Sequence, residues 1–110
     1  MITVIEKNYS FKKTEAKVVE KVIDDEHAAI NHMVLRKEEF LPEHFSNSNV
    51  YMIVVRGTLS LQLGDQELHK YPAGNIVAIP YNIKMNVSNQ DEPTLEFFVV
   101  KAPSPKNYKA

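Results

Sequence analysis

Four histidines carry most of the metal-binding and acid–base capacity of this 110-residue chain, which contains no cysteine. Imidazole binds transition metals and changes its charge near neutral pH, so each histidine could serve a metal site or proton transfer. The lack of thiols excludes a thiolate zinc site, a cysteine nucleophile and a disulfide framework. Metal binding and proton transfer would therefore fall mainly to His27, His32, His44 and His69.

The spacing of these histidines does not form a chelating pair. His27 and His32 fall on opposite faces of a regular strand, because successive side chains alternate. His69 lies in a polar segment and is expected at the surface. His44 stands two residues before Ser46, but no acid that could orient the imidazole is evident nearby. Nucleophilic catalysis therefore has little support.

Methionine thioethers offer a second kind of metal ligand. Met33, Met52 and Met85 could bind Cu(I) together with His44, since soft sulfur ligands and imidazole suit this ion. Such a site needs three methionines to converge, whereas methionine is more often an adaptable core residue. We therefore expect no metal cofactor, with a bound metal ion as the alternative.

Charge and hydropathy exclude several classes of partner. The formal net charge of −1 gives no electrostatic reason to expect nucleic acid or an anionic membrane. The longest apolar run, residues 50–55, is too short to span a bilayer, and the first residues lack the apolar centre of a signal peptide. We expect a cytoplasmic protein with no nucleic-acid or membrane partner.

The elements that must position these side chains are short strands separated by turn residues. Residues 50–55 form a continuous apolar and β-branched run, which is typical of a strand covered on both faces. Residues 58–63 alternate strictly between polar and apolar side chains. Further strands are predicted at residues 66–71, 76–79, 84–88 and 94–100. Connections of two to five residues predict antiparallel pairing in an all-β sandwich or barrel.

The first third of the chain is less regular. Residues 14–24 have apolar side chains at a helical spacing, but valine and isoleucine also favour strands, and the consistent β pattern elsewhere favours a strand here. Residues 24–26 are typical of a hairpin tip leading into a strand over 28–35. We expect one domain over residues 1–110, with N-terminal strands within 1–36, a barrel over about 38–100 and an extended tail over 101–110.

Residues 38–89 resemble the two sequence motifs of the small single-domain cupins, whose fold is a double-stranded β-helix, or jelly-roll barrel. Gly57 closes the first motif and Gly74 opens the second, with sixteen residues between them. Pro80 and Asn89 then fall in register with the second motif. Asn82 replaces a motif glycine with a residue type that tolerates positive φ. The resemblance implies an all-β cupin barrel.

The resemblance also implies a metal site of three histidines and one glutamate, and this chain departs from it. The four positions read His44, Ser46, Val50 and Met85, so His44 is the only matched ligand. Valine cannot bind a cation, and serine is a poor ligand for Fe, Mn, Ni or Zn. His32 is the best candidate to rebuild a site, if its strand turns the imidazole into the interior beside His44.

The expected function is a metal-free barrel that binds or senses a small molecule. A pocket lined by Val50, Met52, Met85 and Val87, with His44 at one side, would have the apolar character of a ligand site and equally that of a filled core. The candidate ligand-binding residues are His32, His44, Ser46, Met52, Tyr81 and Met85.

Two alternative functions are also compatible with the sequence, which in addition predicts a homodimer. The first alternative is a metal-dependent isomerase, dioxygenase or lyase with an altered site, and the second is a structural or interaction module with a packed barrel.

Residues 50–55 and 95–100 are apolar on both faces, although the sheet of a lone small barrel should expose one face to solvent. Either the N-terminal strand or a second copy should cover the surplus, so we expect a two-fold homodimer.

Overall fold

The computed structural model describes residues 5–108, which form nine β-strands in two antiparallel sheets and one short 3₁₀ helix. In chain order these are β1 (Val18–Asp24), β2 (Ala29–Arg36), β3 (His44–Phe45), β4 (Val50–Arg56), β5 (Thr58–Leu63), β6 (His69–Pro72), β7 (Ile76–Ile79), β8 (Lys84–Ser88), β9 (Thr94–Lys101) and the 3₁₀ helix Pro105–Asn107. Sheet A has the order β1-β2-β9-β4-β7, and sheet B has the order β3-β8-β5-β6. The prediction of an all-β fold is confirmed.

Most predicted strands lie where the sequence pattern placed them. The differences lie at the ends of the chain, at β6 and at the two-residue strand β3, which is not among the predicted strands. The strand interpretation of residues 14–24 is correct from Val18 onward, and residues 5–17 form no strand. The predicted strand over 66–71 begins only at His69. The tail, expected to be extended, contains the 3₁₀ turn Pro105–Asn107. Residues 1–4 and 109–110 of the predicted domain lie outside the described residues.

The inward faces of the two sheets meet in one apolar core. Alternate residues of β4 contribute Val50, Met52 and Val54, each no more than 2% exposed. The other buried members of this core are Met33, Leu35, Leu41, Leu59, Leu61, Ile79, Met85, Val87, Leu95, Phe97 and Val99. Each fully buried side chain of this size contributes about 1.5–3 kcal/mol through removal of apolar surface from water.

The expectation that residues 50–55 are covered on both faces is wrong for the single chain. Tyr51 and Val55 point away from the core and are 39% and 46% exposed. Strand β1 does not cover β4, because it pairs with β2 at the far edge of sheet A. Strand β7 forms the opposite edge, and its Ile76 is 66% exposed. The outer face of sheet A therefore presents apolar side chains to solvent. No helix within residues 5–108 is long and apolar enough to cross a membrane.

The turn positions of the cupin motifs have the backbone geometry that the motifs require. Two motif glycine positions hold Glu38 and Asn82 in this chain, and both have positive φ, at 74° and 64°. Gly57 has φ 82°, and a Cβ added there would lie 2.4 Å from the backbone oxygen of Thr94. Only glycine fits this close approach between the β4–β5 turn and the start of β9.

Asn89 closes the second motif and joins two parts of the fold. It is fully buried, and its Nδ2 donates hydrogen bonds to the backbone oxygens of Leu35 and Glu92. Its Oδ1 accepts a hydrogen bond from the backbone N–H of Glu92. The amide thus fixes the loop between β8 and β9 to the end of β2. Gly57 and Asn89, two motif positions that survive in this chain, therefore have structural roles.

A charge cluster on the outer face of sheet A fastens β1 and the segment before it. His32 is fully buried, and its Nδ1 and Nε2 form hydrogen bonds with two carboxylates, 2.7 Å from Glu20 Oε2 and 2.7 Å from Glu96 Oε2. The rings of Phe11 and Phe98 pack against the imidazole, with centroids 4.7 and 4.9 Å away.

These contacts lower the pKa of the Glu20 carboxyl. The hydrogen bond from His32, followed by one from the backbone N–H of Lys12, holds the pKa of the Glu20 carboxyl below its usual value. The ionised form of Glu20 therefore stabilises the fold. This contribution is present above the pKa of an ordinary glutamate and is lost as the pH falls through the lowered pKa of the folded protein.

Gly57→Ala should lower the free energy of unfolding by about 2–4 kcal/mol, because alanine combines a disfavoured φ with a clash against backbone. Gly74→Ala is the matched control, since Gly74 also has positive φ but nothing lies within 4 Å of an added Cβ. It should cost only about 1 kcal/mol. Urea unfolding of both variants measures the difference, and equal losses would contradict the close approach at Gly57.

Glu20→Gln should destabilise the protein at pH 7 and should flatten the loss of stability between about pH 5 and pH 3, because the variant has no carboxylate to protonate there. Urea unfolding across this pH range measures both effects. Glu67→Gln, at an exposed position of the β5–β6 connection, is the control. A Glu20→Gln profile parallel to that of the wild type would contradict the assigned role of this carboxylate.

Candidate functional site

His44, the one matched metal-ligand position, lies at the open edge of sheet B. It pairs in register with Met85, so the two side chains share a face of the sheet. Strand β3 has only two residues and is the outermost strand of this sheet. The His44 side chain is consequently exposed, and its Nδ1 donates to the backbone oxygen of Pro42 at 3.0 Å. His44 thus lies on the same face as the buried Met85, as the register predicts, but at the exposed edge of the sheet.

Ser46 is buried, but the backbone uses its hydroxyl. The Oγ donates to the backbone oxygen of Pro80 at 2.6 Å and accepts from the N–H of Ile83 at 2.8 Å. These bonds fix the turn between β7 and β8 against the segment after β3. Ser46 therefore holds a turn and offers no free donor to a ligand.

The apolar pocket expected at Val50, Met52, Met85 and Val87 is filled by these side chains themselves. All four are no more than 2% exposed and belong to the core between the sheets. Met33 also packs in this core, whereas His44 is exposed at the sheet edge, so the four groups of the copper hypothesis do not share a polar site. Within residues 5–108, no group of three or more histidine, aspartate and glutamate residues is arranged to hold a metal ion.

The remaining two candidates lie away from the interior. The hypothesis that His32 faces inward beside His44 is wrong, because its neighbour Met33 takes the inward position and strand alternation turns His32 outward, toward Glu20 and Glu96. Tyr81 is 38% exposed, and its ring stacks on Tyr108 with centroids 4.4 Å apart. The six predicted site residues thus do not converge on one site.

A cavity of about 260 Å³ lies at the end of sheet A where β1, β2, β9 and the C-terminal segment meet. Its lining is more polar than the core and includes several charged groups. The lining residues are Lys21, Asp24, Ala29, Asn31, Asn47, Lys101, Ser104, Pro105 and Lys106. We call it the end cavity.

The alternation of side chains along β2 and β9 determines which residues line the end cavity. On β2, Ala29 and Asn31 continue the set of inward positions that includes Met33. On β9, Lys101 follows Val99 in the inward set and pairs with both Ala29 and Val50. The inward face of sheet A therefore changes from apolar to polar toward this end, and the end cavity adjoins the core.

The C-terminal segment closes the other side. The backbone N–H of Ser104 donates to the oxygen of His27 at 3.2 Å, and that of Ala102 donates to the oxygen of Asn49 at 3.1 Å. The hydroxyl of Ser48, which is fully buried, donates to the oxygen of Pro103. These bonds hold the segment against the β1–β2 turn and the loop between β3 and β4.

Positive charge predominates in the end cavity. Lys21, Lys101 and Lys106 supply three ammonium groups, and Asp24 supplies one carboxylate, whose Oδ1 lies 3.7 Å from Lys106 Nζ. Burial, followed by the charge of Lys21, lowers the pKa of the Lys101 ammonium, while Asp24 opposes the shift. The site thus holds a partly desolvated cation that a negative ligand would stabilise.

Two buried polar atoms of the cavity lining have no hydrogen-bond partner within residues 5–108. They are the Oγ of Ser104 and the Oδ1 of Asn31. Ser104 is fully buried and precedes the 3₁₀ helix, but its side chain makes no capping bond. An unpaired buried polar group costs about 1–3 kcal/mol. Both groups belong to residues that line the same cavity.

Sequence reasoning missed this site because residues 101–110 were interpreted as a surface tail. One signal was present: Lys101 ends a strand whose inward positions are otherwise apolar, so its ammonium must lie near the rim of the core. Asn31 is likewise a polar residue among the inward positions of β2, which are otherwise apolar. Neither residue occupies a cupin motif position.

Comparisons with known proteins agree with the fold. No family model matches the chain. An uncharacterized protein of Methanocaldococcus jannaschii is 51% identical over 107 residues, which span 96% of this chain and 92% of that protein. Its crystal structure, described as an RmlC-like cupin family protein with a double-stranded β-helix fold, superposes with a TM-score of 0.92 over 94% of this chain and 96% of that one.

More distant solved structures share the fold alone. A conserved Klebsiella pneumoniae protein with a double-stranded β-helix domain is 14% identical, with a TM-score of 0.74 over 87% of this chain and 84% of that one. A cupin superfamily protein of Desulfitobacterium hafniense is 6% identical, with a TM-score of 0.71 over 84% and 83% of the two chains. With the two-sheet topology, the motif turns and a relative at 51% identity, the chain belongs to the RmlC-like cupin family.

Proposed function

We propose that this cupin binds a small molecule without a metal, and that the end cavity is the binding site. The observation that carries the proposal is the fully buried Ser104 hydroxyl, which lines the cavity and has no partner within the described residues. Folding gains nothing from burying an unpaired hydroxyl, whereas a ligand that bonds to it recovers the lost interaction. The unpaired Asn31 oxygen supports the same interpretation.

The alternative of a metal-dependent cupin enzyme has less support. Of the four motif positions, His44 is exposed, the Ser46 hydroxyl is bonded to backbone, and Val50 and Met85 are core residues. Binding a transition-metal ion there would require the core to open. His32 cannot contribute, because both its ring nitrogens already bond to carboxylates on the other face of sheet A.

The alternative of a purely structural module with a packed barrel agrees with the filled core. It does not account for the end cavity, where three lysines and two unpaired polar atoms line one space. Lys21 and Lys106 are exposed, but Lys101 is half-buried, and desolvating its ammonium costs free energy that a bound anion would offset. A packed core with a ligand site at its end fits both observations.

A screen of small fragments by ligand-observed NMR should find molecules that bind the wild-type protein and bind Ala29→Met at least about tenfold more weakly. The reason is that the larger side chain fills the cavity that Ala29 lines. Ala73→Met is the control, since Ala73 is exposed in the turn between β6 and β7 and does not line the end cavity. Asn31→Leu serves as a second blocking variant if Ala29→Met does not fold.

Two results would contradict this proposal. One is fragment binding that neither blocking variant changes. The other is about one equivalent of a transition metal in protein purified without a metal-binding tag, with loss of that metal in His44→Ala. The second result would favour the metal-dependent enzyme instead.

We also propose that two copies associate through the outer face of sheet A. Tyr51, Val55 and Ile76 are exposed on this face, beside the free edge of β7. A closed two-fold contact would cover the same apolar patch on both copies. The cytoplasmic location and the lack of nucleic-acid or membrane partners stay predictions of the sequence.

Size-exclusion chromatography with light scattering should give twice the monomer mass for the wild-type protein. Ile76→Lys should shift the protein to monomer, because it places a charge in the apolar contact. Leu68→Lys is the control, at an exposed leucine in the β5–β6 connection of sheet B, away from the outer face of sheet A. A wild-type protein of monomer mass would refute the dimer.

A further inference from the structure

We propose that the ligand of the end cavity is a small organic anion that carries a hydroxyl group. This inference rests on the proposed function and adds the chemical class of the ligand. It follows from the charge of the cavity, from the hydrogen-bonding groups that remain free in it and from its volume.

The charge of the lining requires an anion. Lys106 lies opposite Asp24, whereas Lys21 and Lys101 make no ion pair within residues 5–108. Lys101 is half-buried on the inward face of sheet A, so solvent stabilises its ammonium incompletely. An anionic group between Lys21 and Lys101 would offset the repulsion between their two ammonium groups. It would also replace the water that burial removes from Lys101.

The free hydrogen-bonding groups require a donor on the same ligand. The Ser104 hydroxyl can donate to an anionic oxygen, as the lysines can, but the Oδ1 of Asn31 only accepts. A simple carboxylate presents acceptors alone and would leave Asn31 unpaired. An ammonium group would provide donors but would be repelled by the lysines, so a hydroxyl is the donor that fits.

The volume of the end cavity limits the size of the ligand. At about 260 Å³ it lies just below the range for small-molecule sites, which begins at about 300 Å³, so only a small ligand fits. A short hydroxy acid or a short hydroxylated phosphate ester has the required charge and the required donor. These two kinds of molecule share the same recognition chemistry, and they differ only in the anionic group.

Titrations followed by two-dimensional amide NMR distinguish the parts of this inference. Lactate and glycerol 3-phosphate are the anionic hydroxylated probes, lactamide is the neutral counterpart of lactate, and propionate lacks the hydroxyl. We expect lactate or glycerol 3-phosphate to bind at least about tenfold more tightly than lactamide, because charge-assisted hydrogen bonds are the stronger ones. Propionate should bind more weakly than lactate. The tighter of the two hydroxylated anions identifies the anionic group.

Variants of the full chain test whether the anion binds in the end cavity. Lys101→Met should weaken binding of the preferred anion about tenfold, since the side chain keeps its length and loses its charge. Ser104→Ala should weaken it several-fold. Lys37→Met, at an exposed position between β2 and β3, should leave the affinity unchanged.

The outcomes separate the ligand class from the proposed function. Equal affinities for lactate and lactamide, with shifts confined to the end cavity, would overturn the anionic class and leave the binding function intact. Equal affinities for propionate and lactate would overturn the hydroxyl requirement. An absence of shifts at the end cavity with all four probes, together with an absence of fragment binding there, would overturn both.

Discussion

The apolar core between the two sheets constrains every other feature of this protein. Met52, Met85 and Phe97 are no more than 2% exposed and fill the space between the inward faces. Because these large side chains exclude water, a charged or metal-bound group in the same place would lack both solvent and partners. Polar chemistry is therefore confined to the ends of the sandwich and to the outer faces of the sheets.

Strand alternation connects this core to the end cavity. The register that buries Met33 and Val99 also places Asn31 and Lys101 on the same inward face, one step farther along their strands. The change from apolar to polar residues along β2 and β9 then marks where the core ends. The C-terminal segment, held by the Ser48 hydroxyl and the backbone of Ser104, closes the space that remains.

The outer face of sheet A divides into two regions of different character. Toward β1, His32 and its two carboxylates are covered by Phe11 from the segment before that strand. Toward β7, Tyr51 and Ile76 remain exposed. The N-terminal part of the chain therefore covers one region only, which agrees with the proposal that a second copy covers the other.

The sequence was sufficient for the strand pattern, the cupin fold and the motif turns, because these depend on local alternation and on residues such as Gly57 and Asn89 that few others can replace. It was insufficient for the site. Alternation shows which residues share a face but not which face is inward, so His32 was placed on the wrong side. The two-residue length of β3, which leaves His44 exposed, depends on pairing with β8.

We propose that a ligand binds at the end of the packed sandwich and not between its sheets. A crystal structure of the protein grown with saturating lactate or glycerol 3-phosphate would test this most directly. We expect electron density for the anion in the end cavity, in contact with the Lys101 ammonium and the Ser104 hydroxyl. Density for the ligand inside the core, beside Met85 and a reoriented His44, would contradict it.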